Sequence, residues 1–176
     1  MILNAYYKGL AAMFTGGVDD TTKDVTGGNK KVVLSSNSSH KSNFLNYSMS
    51  LSEIATLSMD YPSSGGGVVF GTGDTPPTLN DYKLAGDIVT GLSWSANKAA
   101  EQVEGGAGIT VTFTVTNNND SEVTIREVGY VGRHNNAVTT AYAVLLDRTV
   151  LEAPVTIPAG GVGLITYTVK LIYPTE

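Results

Sequence analysis

Ile109-Thr110-Val111-Thr112-Phe113-Thr114-Val115-Thr116 is the stretch that decides the fold class. Large apolar residues hold every odd position and threonine every even one, through four repeats. A period of two places one set on one face of a strand and the other set opposite. Threonine is β-branched and packs well on a solvated pleated surface. The stretch therefore reads as a half-buried strand, with Ile109, Val111, Phe113 and Val115 turned to a core.

Working outward, Asn117-Asn118-Asn119-Asp120 is a turn built from residues that tolerate positive φ. Residues 123–131, 141–150 and 162–172 supply three more strands. Pro154 and Pro158 bracket Val155-Thr156-Ile157, and Gly160-Gly161 turns the chain into the last strand. Upstream, Ile88, Thr90, Leu92, Trp94 and Ala96 alternate as a strand, and Val68-Val69-Phe70 forms a short one. Between them lie a turn-rich loop, Gly71 to Pro77, and one helical turn expected at residues 79–84. Strands separated by turn signals predict an antiparallel β-sandwich, jelly-roll or Ig-like, rather than an α/β fold.

The N-terminal third reads differently. Ile2, Leu3, Tyr6, Leu10, Met13 and Phe14 recur in steps of three and four, which predicts a short amphipathic helix. Gly16-Gly17 ends it. A helix this short and this apolar needs a covering surface, so these six residues are the candidate partner-binding site. The cover is a sister subunit, a larger shell, or the chain's own sandwich. Residues 15–30 read as a loop, Lys31-Val32-Val33-Leu34 as a short strand, and residues 44–51 as a strand. Residues 52–61 fit either strand or helix, because Ser50 and Glu53 also make a capping-box pattern. Ser63-Ser64-Gly65-Gly66-Gly67 marks a hinge. It divides a docking or oligomerisation segment, residues 1–64, from a β-sandwich domain, residues 65–176.

Composition excludes several function classes. Only 15% of the 176 residues are charged and the net charge is −5, with no basic run beyond Lys30-Lys31. Nucleic-acid binding needs clustered Lys and Arg, so no nucleic-acid partner is expected. The absence of cysteine removes disulfides, thiolate metal sites and Cys nucleophiles. No stretch approaches the roughly 20 apolar residues of a membrane helix, and the first residues lack a signal-peptide pattern. The expectation is synthesis in a cytoplasm and no membrane partner.

Few motifs point to chemistry. His40 and His134 sit in polar segments without ligand-spaced neighbours and read as solvated turn residues. Ser38-Ser39-His40-Lys41 has the Ser-x-x-Lys spacing of some acyl-transfer enzymes, yet lies in a run of loop formers. Gly71-Thr72-Gly73 lacks the third glycine of a dinucleotide loop. Asp19-Asp20, and Asn117 to Asp120 with Glu122, lack the spaced carboxylates of a calcium loop and read as solvated turns. Arg126-Glu127 and Asp147-Arg148 fall inside strands, one charge to each face, where they are expected to meet across strands as ion pairs. Trp94 reads as core. No catalytic residue, cofactor or metal is assigned.

Val68-Val69-Phe70-Gly71-Thr72-Gly73-Asp74-Thr75-Pro76-Pro77-Thr78, followed by Asp81-Tyr82-Lys83-Leu84, resembles a stretch of structural proteins of tailed bacteriophages. So do Ile125-Arg126-Glu127-Val128-Gly129-Tyr130 and the run from Leu145 through Asp147-Arg148 to Gly160. The resemblance spans about residues 65 to 173 and omits the first sixty. It implies a virion component without enzyme activity: a capsid decoration or head fibre, or a neck or tail attachment piece. It also implies other virion proteins as partners; the apolar N-terminal face and the low charge density lead to the expectation of a homo-oligomer. A trimer is expected only because virion appendages often occupy three-fold sites. The alternative is a host-surface glycan- or receptor-binding β-sandwich module.

Overall fold

The computed structural model describes residues 20–32, 67–103, 106–135 and 141–172. Within them the protein is mainly β and antiparallel throughout, with eight strands and no helix. β1 (Asp20–Lys23) and β2 (Asn29–Val32) form a hairpin. β3 (Gly67–Gly71), β6 (Val123–Asn135) and β7 (Ala141–Ile157) make one sheet in the order β3-β6-β7. β4 (Leu92–Val103), β5 (Gly106–Asn117) and β8 (Val162–Ile172) make a second, ordered β4-β5-β8.

The alternation in β5 is realised: Val111, Phe113 and Val115 are each 0% exposed. They share one apolar core with Val68 and Phe70 of β3, Ile125, Val128 and Tyr130 of β6, Val144 and Leu146 of β7, and Ile165 and Tyr167 of β8. Both three-stranded sheets thus turn a face to the same core. Trp94 packs at its edge, 5.2 Å from Phe70 in a T-shaped arrangement. The side chain of Ile109 lies outside the described residues.

A second apolar cluster lies on the opposite face of β3-β6-β7. There Val69, Val131, Ala143 and Leu145 pack against Val25 of the hairpin turn and Leu84 of the loop joining β3 to β4. The Val25 N–H donates to the Ala143 carbonyl at 3.1 Å, and Lys23 Nζ stands 4.9 Å above the Tyr82 ring. Asp24 Oδ1 accepts from Thr26 N and Oγ1 and from Gly28 N, which fixes the hairpin turn.

Several local expectations are corrected. Residues 15–30 contain β1 and the start of β2, because Val25 gains a buried seat on the sheet that local composition does not reveal. The strand expected from Ile88 begins only at Leu92. Residues 87–89 instead bond along the edge of β3, through Thr72 N to Asp87 O and Val89 N to Phe70 O. Gly91, at φ 70°, then swings the chain into the other sheet. Residues 79–84 form turns and bends rather than a helical turn. β7 runs straight through Pro154, which is accommodated because pairing with β6 slips there: Ile125 faces Val155, but Glu127 faces Val150. His134 lies in β6, paired with Tyr142, not in a loop. The N-terminal helix, residues 44–61, the 63–66 hinge residues, His40 and the Ser38–Lys41 motif all lie outside the described residues, as do Asp19, Val33 and Leu34.

Candidate functional site

Among the described residues Glu127 and Arg148 are the charged residues most deeply enclosed, at 0% and 2% exposure. Strand slippage brings them to one side. Tyr130 of β6 faces Asp147, but the next residue, Val131, faces Leu145, so Leu146 is an extra residue in β7. Such a bulge shifts the alternation by one. Leu146 and Asp147 therefore both lie toward the main core, and Arg148 turns to the opposite face beside Glu127.

The Glu127 carboxylate is saturated. Oε1 accepts from the Gly73 N–H at 2.9 Å and the Gly86 N–H at 2.8 Å. Oε2 accepts from the Ala85 N–H at 3.1 Å and Arg148 Nε at 2.6 Å. A carboxylate offers about four lone-pair positions, and all are engaged. Arg148 in turn donates through Nη1 to Asp81 Oδ2 and through Nη2 to the Thr75 carbonyl, both at 2.7 Å. Asp81 also accepts from Thr78 N and Thr78 Oγ1. One ion-pair chain thus staples both ends of the β3–β4 loop to strands β6 and β7.

The electrostatics follow from these bonds. Burial pushes the Glu127 carboxyl up, but bonds from Gly86, Arg148 and Ala85 outweigh it and hold the pKa below 4.5. Burial likewise opposes charge on Asp81, yet Thr78 and Arg148 bring its pKa below 3.8. Burial lowers the Arg148 pKa, and Glu127 and Asp81 more than restore it. All three groups are held charged at neutral pH. Glycine is required where the loop backbone closes on the carboxylate: a Cβ at Gly73 would collide with Glu127 Oε1 and with the Gly86 nitrogen.

On the core side of the bulge the Tyr167 hydroxyl donates a short hydrogen bond to Asp147 Oδ2. Burial first, and the charge of Asp147 next, push the Tyr167 pKa well above 10. At the sheet end, buried Asn117 donates from Nδ2 to the carbonyls of Ser121, Ile157 and Pro158. Its Oδ1 accepts from the Asn119 backbone N–H. Of the stretch read as a solvated turn, residues 118–122 are a turn with Asn118, Asp120 and Glu122 exposed, but Asn117 is buried at the end of β5, where its amide clamps several carbonyls at once. Beside Arg148 a shallow cleft of about 220 Å³ opens between Thr75, Asn80, Asp81, Tyr82 and Lys83. Among the described residues no group of three or more His, Cys, Asp or Glu is placed to hold a metal.

Of the four in-strand charges expected to meet across strands, with no particular pairing specified, the structure brings together Glu127 and Arg148 and leaves Asp147 on the other face with Tyr167. Asp81 and the loop N–H groups were not anticipated. Thr78-x-x-Asp81 is a capping-box spacing and was the available signal. The partner-binding candidates Ile2, Leu3, Tyr6, Leu10, Met13 and Phe14 lie outside the described residues, and for His134 only the backbone is described. Segments separated by up to 73 residues in sequence meet in this one ion-pair chain. Comparison of the chain with family models, curated proteins and solved structures finds no match.

Proposed function

We propose that the chain is a non-catalytic structural module: an accessory component of a tailed-bacteriophage virion, acting through protein–protein contacts. The module is a β-sandwich spanning residues 65–176, its two sheets closed over the core they share. It docks on other virion proteins, of capsid or of neck and tail, through the apolar face of Ile2, Leu3, Tyr6, Leu10, Met13 and Phe14. It is a homo-oligomer, assembled in the host cytoplasm and resident in the particle.

One observation supports this reading above others: the buried charges serve as scaffold. Glu127 has every acceptor position engaged by loop N–H groups and Arg148. A general base needs a free lone pair within reach of substrate. The same chain of bonds gives a physical role to the stretches that resemble phage structural proteins. They fix a long surface loop rigidly on a sheet, which suits a part that holds shape under load.

The test is mass spectrometry of purified particles from cells expressing the full chain and from cells expressing the chain lacking residues 1–14. The full chain is expected in particles at stoichiometric copy number, and the truncated chain is expected in the soluble fraction, still folded. Absence of the full chain from particles, or full incorporation of the truncated one, refutes the reading. Specific binding to a host glycan instead would favour the receptor-binding alternative.

A further inference from the structure

The outer face of the β4-β5-β8 sheet is a lattice of small side chains. Register places Ser93, Thr116 and Val162 in one row, then Ser95, Thr114 and Leu164, then Asn97, Thr112 and Thr166, then Ala99, Thr110 and Thr168. These twelve positions carry no charge, and the next row, Glu101, Gly108 and Lys170, is the first that does. Val162 and Leu164 are 61% and 66% exposed, the two most exposed large apolar side chains among the described residues. Thr110 and Thr168 share a hydrogen bond of 2.9 Å across the strands. The opposite sheet differs: the hairpin and the β3–β4 loop cover its outer face.

We infer that this face is a self-association surface whose occupant is the same face of a second copy. Three features favour a copy over another partner. A charged partner would lose hydration against hydroxyls and methyls that offer no counter-charge. Each copy carries a net charge of −5, so two copies approach with least repulsion through an uncharged face. Both surfaces also share one spacing, which lets ridges of threonine methyls interdigitate as in aligned sheet packing. Threonine is stiff at χ1, so ordering these side chains costs little entropy.

The size of the face sets its strength. Four rows over three strands span roughly 25 Å by 14 Å. Twice that footprint stays below the ~1,200 Å² of a standard interface, so a single contact is weak. It becomes effective when copies are held close on a common scaffold, where effective concentration is high. The inference adds a surface to the proposed oligomer and does not depend on docking through residues 1–14.

Sedimentation equilibrium of the full chain up to about 1 mM tests it, with Leu164→Lys, Thr114→Lys, Leu164→Met and Leu10→Glu variants. The wild type and Leu164→Met are expected to associate reversibly. Each lysine variant is expected to raise the dissociation constant at least ten-fold with an unchanged Tm, since both positions are exposed. A wild type that stays monomeric at 1 mM overturns the inference. So does association that survives both lysine substitutions, or that is lost with Leu10→Glu alone.

Discussion

Replacing Glu127 with Ala probes the ion-pair chain directly. The substitution removes four hydrogen bonds at once and leaves Arg148, 2% exposed, with Asp81 as its remaining carboxylate. Breaking a buried pair by removing one partner costs about 3–5 kcal/mol, mainly through the uncompensated charge. Each orphaned N–H adds about 1–3 kcal/mol if it stays dry. Ala85 is exposed and Gly73 and Gly86 half-buried, so water reaches the freed groups and trims that increment. The expected loss is about 4–5 kcal/mol, a large share of the ~5–15 kcal/mol typical of a domain. Urea unfolding followed by fluorescence of Trp94 measures it. Hydrogen exchange should report faster amide exchange at Gly73, Ala85 and Gly86, while Val111 and Phe113 remain the slowest. Glu127→Gln keeps the shape but turns an amide donor toward Ala85 N or Arg148 Nε, at about 2–3 kcal/mol. In the Glu127→Ala/Arg148→Ala cycle the coupling should exceed about 2 kcal/mol. A loss under 1 kcal/mol for Glu127→Ala, or additive losses in the cycle, would refute the scaffold role.

Acidification should act through the same residues. The folded-state pKa values of Glu127 and Asp81 are depressed, so their contribution is present above the unfolded values of 4.5 and 3.8 and is lost as pH falls through the folded ones. Tm should decline below about pH 5, less steeply in Glu127→Gln than in the wild type, as scanning calorimetry will show. The raised pKa of Tyr167 acts at the other end: its contribution is intact below about pH 10 and is lost as pH rises further. Tyr167→Phe should flatten that alkaline limb and cost about 1–3 kcal/mol at pH 7, where Asp147 loses a donor. Phe113→Ala should cost about 3–5 kcal/mol in chemical denaturation, since a ring 0% exposed and packed edge-on against Phe70 leaves a cavity. Gly73→Ala should destabilise nearly as much as Glu127→Gln in the same assay, because its methyl displaces the carboxylate.

Residues 107–116 and 162–172 declare themselves as strands because alternation is a local property. The pleat repeats every two residues whatever surrounds it, and the sorting of Val111, Phe113 and Val115 from Thr112 and Thr114 needed no tertiary information. That Arg126, Glu127, Asp147 and Arg148 are strand charges suited to ion pairs was legible for the same reason, but that Glu127 pairs with Arg148 depended on the β6–β7 register. The rest depended on neighbours distant in sequence. Residues 20–32 contain little apolar side chain beyond Val25, and what makes them a hairpin is the seat that Ala143 and Leu145 offer it. Ile88 continues the alternation toward Trp94 in sequence, but the open edge of β3 captures residues 87–89 first. Pro154 looks like a strand end, yet the extra residues of β7 bulge around it and the strand continues to Ile157. The closure of Gly73, Ala85 and Gly86 around Glu127 could not be read from any one stretch, because the donors belong to a loop and the acceptor to a strand more than forty residues away. Side-chain periodicity is set by backbone geometry and is therefore written along the chain. The satisfaction of buried charge is set by which segments meet, and only the folded structure decides that.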